Sequence, residues 1–157
     1  MKPEGPRANG ASGDVDLALR TLYVTAGALF SGVLLFAVVA LAFPGPRDPD
    51  RPSSENRPLH YVATGLSGVT LITSFLVRAH LLTREGRPAD RAGRILRYRT
   101  SVLMGLALNE GAVLFALVVV WLDRSAFPAL YPAIASALAM YFHLPTRHGL
   151  EQYLSLK

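Results

Sequence analysis

Glu110 is a carboxylate near the centre of an apolar stretch, 101–122. Hydrocarbon tolerates an ionisable group at that depth only at a cost of a few kcal/mol or more, so such a residue marks a functional hypothesis. Desolvation there disfavours the bare carboxylate. Three readings stand side by side: a neutral, hydrogen-bonded packing residue, an ion pair with Arg78, and a group that binds and releases a proton or cation. Other chemistry-bearing residues are few. With no cysteine in the chain, disulfides, thiolate metal sites and a cysteine nucleophile are excluded. His60, His80, His143 and His148 fall near the ends of apolar stretches, on different sides and without metal-ligand spacing, and read as interfacial or loop histidines. No Gly-rich phosphate loop, His-Glu-x-x-His pair or serine elbow is present, and the segment from Gly65 to Gly68 has no accompanying base. The expectation is a non-enzymatic protein with no metal and no cofactor.

The elements that must position Glu110 follow from hydropathy. Of 157 residues, 51% are hydrophobic and only 17% charged, where a soluble domain carries nearer a quarter. The charges crowd into short segments, and the pattern predicts an all-α, integral membrane four-helix bundle. Its spans are 21–43, closed by Pro44, Gly45 and Pro46, then 59–82, 101–122 and 127–144, the last stopped by Pro145. Each is near the roughly 20 residues that cross a bilayer. Residues 1–16, rich in Gly, Pro and charge and without a signal peptide's apolar core, read as a disordered tail. Residues 83–100 form a basic loop and 145–157 a C-terminal tail.

Orientation follows from the cations. Lys2, Arg7, Arg20, Arg78, Arg84, Arg87, Arg91, Arg94, Arg97, Arg99, Arg147 and Lys157 fall on one side, against Arg47, Arg51, Arg57 and Arg124 on the other. The positive-inside bias places both termini in the cytoplasm, in a bacterial inner membrane. The net charge of +5 then reflects loops facing anionic lipid rather than nucleic acid. Gly86, Arg87 and Pro88 break one helix and start the next, so the third helix begins near Pro88 and projects two or three turns into the cytoplasm. Its collar of Arg84, Arg87, Arg91, Arg94, Arg97 and Arg99 is a topology signal with lipid contacts or a surface for an acidic partner. Small residues at helix-packing spacing recur in every span, among them Gly27 with Ser31, Ala28 with Gly32, and Ala107 with Gly111. They serve packing within the bundle or self-association.

Counting about 1.5 Å per residue from each inner end places Glu110 roughly 13 Å deep, close to the midplane. The same count brings Ser31, Thr73, Ser74, Asn109 and Ser136 to nearly that level, and Arg78 about 7 Å nearer the inner face. The expectation is that Glu110 points into the bundle and is hydrogen-bonded by some of these groups.

The stretch 106–119 resembles the carboxylate helix of the rotary ATP synthase proteolipid, subunit c. Glu110 matches its ion-binding acid, Ala107 the small residue before it, Phe115 the aromatic after it, and Leu117, Val118 and Val119 the run that follows. That resemblance implies an exchangeable proton on Glu110 and an oligomeric ion carrier. The chain departs from it in having only Gly65 and Gly68 on the preceding span, Gly86-Arg87-Pro88 in the loop, and the acid on the third of four helices. Most of the chain is similar to a family of small bacterial four-span membrane proteins with an Ala-rich third span, a central Glu-Gly, and a Pro-Thr-Arg after the last helix, here Pro145, Thr146 and Arg147. This second resemblance implies the fold and no activity. The expected role is a subunit or accessory component of a larger membrane complex, with the lipid bilayer, other membrane subunits or further copies of the chain as partners. The alternative is a proteolipid-like proton or cation carrier. A membrane-embedded enzyme or transporter is a distant third.

Overall fold

A computed structural model of the chain describes residues 9–43, 57–83, 90–123 and 126–155. They form five helices: α1 (Asn9–Ala42), α2 (Arg57–Leu82), α3 (Arg91–Asp123), α4 (Ala126–Phe142) and α5 (Arg147–Ser155). No strand occurs among the described residues. Lys2, Arg7, the Pro44-Gly45-Pro46 stop, Arg47, Arg51, Arg84, Gly86, Arg87, Pro88, Arg124 and Lys157 lie outside them. Three segments, Gly13–Ala42, Pro58–Leu82 and Arg91–Leu122, are long and apolar enough to cross a membrane. The apolar helix Pro128–Phe142 is shorter.

The helices alternate in direction. At one end, Asp16 of α1 meets Arg147 of α5, Arg78 of α2 meets the last residues of α4, and Tyr98 of α3 meets Thr146. At the other, the Trp121 indole N–H donates to the Phe43 carbonyl at 2.8 Å. That bond satisfies one of the carbonyls a helix C-terminus leaves without an internal partner. So α1 and α3 run one way, and α2 and α4 the other. The centre of the bundle is α3, which packs against all four other helices, while α2 and α4 also meet each other.

Packing on α1 follows a single stripe. Leu22, Ala26, Val33 and Ala40 are buried, with Leu29, Phe36 and Ala37 partly so. This three-four spacing gives a narrow seam along one partner helix, here α3. The opposite face, with Val24, Leu34, Leu35, Val38 and Leu41, is exposed. An apolar surface of that extent marks contact with a membrane or a partner.

Both chain ends differ from the sequence expectation, and in each case a few side chains explain it. The segment read as a tail is helical from Asn9, because Val15, Ala18 and Leu19 continue the buried stripe downward. The C-terminal tail carries α5, whose Leu150 and Tyr153 are buried beside Tyr98. Thr146 caps α5 in the usual manner, its hydroxyl accepting from the Gly149 amide at 3.1 Å. The Arg94 guanidinium donates to the Leu154 carbonyl at the far end of α5, at 3.0 Å. The Pro-Thr-Arg sequence is therefore a helix start. At the base of α3, Asp90 accepts from the Gly93 amide at 2.8 Å. A capping carboxylate thus sets the beginning of α3 at Arg91, and its first ten residues extend beyond Ser101.

Candidate functional site

Glu110 sits on α3 facing Gly32 of α1. One carboxylate oxygen, Oε1, lies 4.0 Å from the point where Gly32 of α1 would carry a Cβ. The depth count across α1 and α3, which matched Glu110 with Ser31, is therefore good to one residue. The side chain is only half-buried, and no hydrogen bond or ion pair engages it among the described residues. Its surroundings are small: Ala28, Ser31 and Gly32 on α1 and Ala107 and Gly111 on α3 are all exposed. Open space surrounds Gly27 and Gly111 where a side chain would begin. The result is a surface of small residues with an unpartnered carboxyl beside it.

The expected polar layer does not gather around that carboxyl. Ser74 is fully buried on α2, but its hydroxyl donates to the Leu71 carbonyl at 2.8 Å and accepts from His143 at 3.0 Å. Asn109 is fully buried on the α3 face one residue round from Glu110, its amide donating to the Gly105 carbonyl at 2.8 Å. Ser136 is buried on α4 without a hydrogen-bond partner. Thr73 is half-buried and Ser31 exposed. Residue counting fixes depth along a helix but not which way each hydroxyl faces, and that decides the contacts here.

Arg78 does not pair with Glu110 either. Its Nη1 donates to the Phe142 carbonyl at 3.2 Å and to His143 Nδ1 at 3.1 Å. An arginine has only donors, so His143 Nδ1 must be the acceptor. The ring proton then belongs on Nε2, which donates to Ser74 Oγ. Arg78, His143, Ser74 and the Leu71 carbonyl thus form one chain in which each donor has an acceptor. The assignment rests on this inventory, and it requires a neutral imidazole.

His143 is a loop histidine, one of the two readings its sequence position allowed, but it is not on the surface. It lies in the turn after α4 and is fully buried, stacked near Phe75 with ring centroids 4.7 Å apart. It also needs a glycine opposite. A Cβ on Gly105 of α3 would fall 2.8 Å from the His143 Cγ, inside any tolerated contact. The sequence held one signal for this cluster. Arg78, a cation just inside an apolar span, needed acceptors, and the orphan carbonyls ending α4 supplied one.

Among the described residues, Ser67 Oγ, Ser136 Oγ and Asn109 Oδ1 are buried without partners. An unmade buried hydrogen bond is unfavourable, whereas a made one is worth about 0.5–1.5 kcal/mol. Ser136→Ala should therefore leave thermal stability in detergent unchanged or raise it. Ser74→Ala should lower it by about 1–2 kcal/mol, since the His143 N–H loses its acceptor. Equal effects from the two substitutions would contradict the assigned network.

No protein-family model, no curated protein and no solved structure matches the chain. Among the described residues, no group of three or more His, Cys, Asp or Glu is placed to hold a metal.

Proposed function

We propose that this chain is a four-span integral membrane protein that works as a non-enzymatic subunit or accessory component of a larger membrane assembly. In this reading a helix of a partner subunit lies over the small residues beside Glu110. The single observation that carries it is the unpartnered carboxyl beside small, exposed residues of α1 and α3. Small residues let helix backbones approach closely in lipid, and a polar group between them adds a directed contact. The partner chemistry is accordingly a helix presenting a polar group to the Glu110 carboxyl.

Membrane insertion is supported by the three long apolar helices and the exposed apolar face of α1. The fourth span rests on α4, whose 17 residues cover about 25 Å. A span that short is accommodated by local thinning of the bilayer or by anchoring residues at its ends. The cytoplasmic placement of the α5 end rests on its arginines: Arg20, Arg78, Arg91, Arg94, Arg97, Arg99 and Arg147 all lie there.

Purification from native membranes in mild detergent tests the reading. The expected result is a co-purifying membrane protein that Glu110→Gln retains and Glu110→Ala loses, because glutamine keeps a hydrogen-bonding group of the same length and shape. Retention of the partner by the alanine variant would remove Glu110 from the interface.

A second reading, an oligomeric proton or cation carrier, draws on the same half-buried carboxyl. It predicts a homo-oligomer whose Glu110 reacts with a hydrophobic carbodiimide in a pH-dependent way, and loss of function in Glu110→Gln. The glutamine variant therefore separates the two.

A further inference from the structure

The α5 end carries a groove that the reading above does not use. It lies between the first turns of α1 and α3, has a volume of about 200 Å³, and is lined by Asp14, Leu17, Ala18, Ala92, Ile95, Leu96 and Arg99. Five of the seven lining residues are apolar, and the other two are one cation and one anion. Neither charge is engaged among the described residues: no hydrogen bond or ion pair joins Arg99 or Asp14 to another group. The Arg99 Nε is buried and has no acceptor. This contrasts with its neighbour Arg94, which donates to the Leu154 carbonyl, and with Asp16, which pairs with Arg147 at 3.7 Å.

The two charges are ordered along the helices. Arg99 lies two residues before Ser101, where the apolar span of α3 begins, and Asp14 lies seven residues before Thr21 on the parallel helix α1. The cation is therefore nearer the apolar span and the carboxylate about a turn or more farther out. Leu17 and Leu96 stand beside them with most of their surface exposed. Going outward by the same count, Arg99 comes first, Leu17 and Leu96 next, and Asp14 last.

We propose that this groove binds the head group of an aminophospholipid. The phosphate accepts from Arg99, the primary ammonium donates to Asp14, and the two carbons that join them lie on Leu17 and Leu96. A guanidinium recognises phosphate through charge-assisted hydrogen bonds in a fixed fork. A purely anionic head group would satisfy Arg99 but leave Asp14 facing like charge. A trimethylated amine would supply charge but no N–H for Asp14. The head group that satisfies both residues carries phosphate and a primary amine in that outward order. The proposal rests on the membrane reading, and the two fail differently: a chain that stays in solution without detergent removes both, whereas unselective lipid retention removes only this one.

The test uses the full chain reconstituted in vesicles of equal parts phosphatidylethanolamine, phosphatidylcholine and phosphatidylglycerol. Lipids retained after extraction are counted by native mass spectrometry. Wild type should retain the ethanolamine lipid about tenfold over the choline lipid, the scale of one charge-assisted hydrogen bond. Asp14→Asn should lose that preference while still retaining the glycerol lipid. Arg99→Gln should lose retention of both. Unchanged melting temperature in a detergent without phosphate groups shows that each variant is folded. Equal retention of ethanolamine and choline lipids by wild type overturns the proposal, as does an Arg99→Gln profile matching wild type or an Asp14→Asn variant that keeps the preference.

Discussion

His143→Ala is expected to lower the stability of the bundle by about 2–5 kcal/mol, the range for emptying a large buried site. The ring is fully buried between α2 and α3, and three losses coincide when it goes. The contact with Phe75 disappears, Ser74 Oγ loses the N–H it accepts, and Arg78 loses one of its two acceptors. The Phe142 carbonyl remains for the guanidinium, so Arg78 is not left wholly unpaired. His143→Gln, with a donor and an acceptor on a shorter side chain, should lose less. Thermal unfolding in mild detergent, followed by circular dichroism, distinguishes them. A near-wild-type melting temperature for the alanine variant would mean that the chain from Arg78 to Leu71 does not hold α4 to α2.

Gly105→Ala is expected to cost about 1–3 kcal/mol, the usual penalty for overpacking a filled core. The sign is the informative part. In a helix interior, glycine to alanine ordinarily gains about 0.5–1 kcal/mol through backbone entropy. Gly68→Ala on α2 should show that gain, because nothing lies within 4 Å of its added methyl group. At Gly105 the same methyl group meets His143 Cγ at 2.8 Å and Nδ1 at 2.9 Å. The imidazole cannot retreat without breaking its bonds to Arg78 and Ser74. Measured together in the same detergent, the two substitutions should move the melting temperature in opposite directions. If both raise it, His143 is not seated against α3. The double variant Gly105→Ala with His143→Ala should be less than additive, since removing the imidazole removes the atoms that the added methyl group would meet.

How much of this could be read from the residues varies by element. The long helices were legible because length and composition alone separate a membrane-crossing segment from a soluble one, and α1, α2 and α3 meet that standard. α5 was not, because nine residues with Arg147, His148, Glu151 and Gln152 carry no apolar run. Its docking depends on two side chains, Leu150 and Tyr153, and on a threonine cap that a tail reading passes over. The depth of Glu110 relative to α1 was legible to one residue, since the two helices run parallel from a shared end. The partners of Ser74 were not. Hydropathy gives the limits of a span but not its rotation, and on α2 and α4 rotation sends Ser74 to His143 and leaves Ser136 alone. The burial of His143 was hidden for a related reason. The count places it in the turn that ends the last span, and the rotation of that turn sends the ring into the bundle, where Gly105 leaves room.

The collar of arginines divides in the same way. Read as a set, it is a uniform basic surface. In three dimensions Arg94 holds α5 in place and Arg99 lines an apolar groove. A charge pattern sets the side of the membrane, but the individual task of each cation depends on what its helix face meets.

The most direct measurement on the central claim, that a partner helix covers Glu110, exploits the absence of native cysteine. Gly111→Cys places a single thiol in open space beside the carboxyl, and Val62→Cys places one on an exposed face of α2. Each is labelled with a short photo-crosslinker in native membranes. The account predicts one defined protein adduct from position 111 that persists with Glu110→Gln, vanishes with Glu110→Ala and is absent from position 62. The same adducts from both positions, or an adduct at 111 indifferent to the alanine substitution, would contradict it.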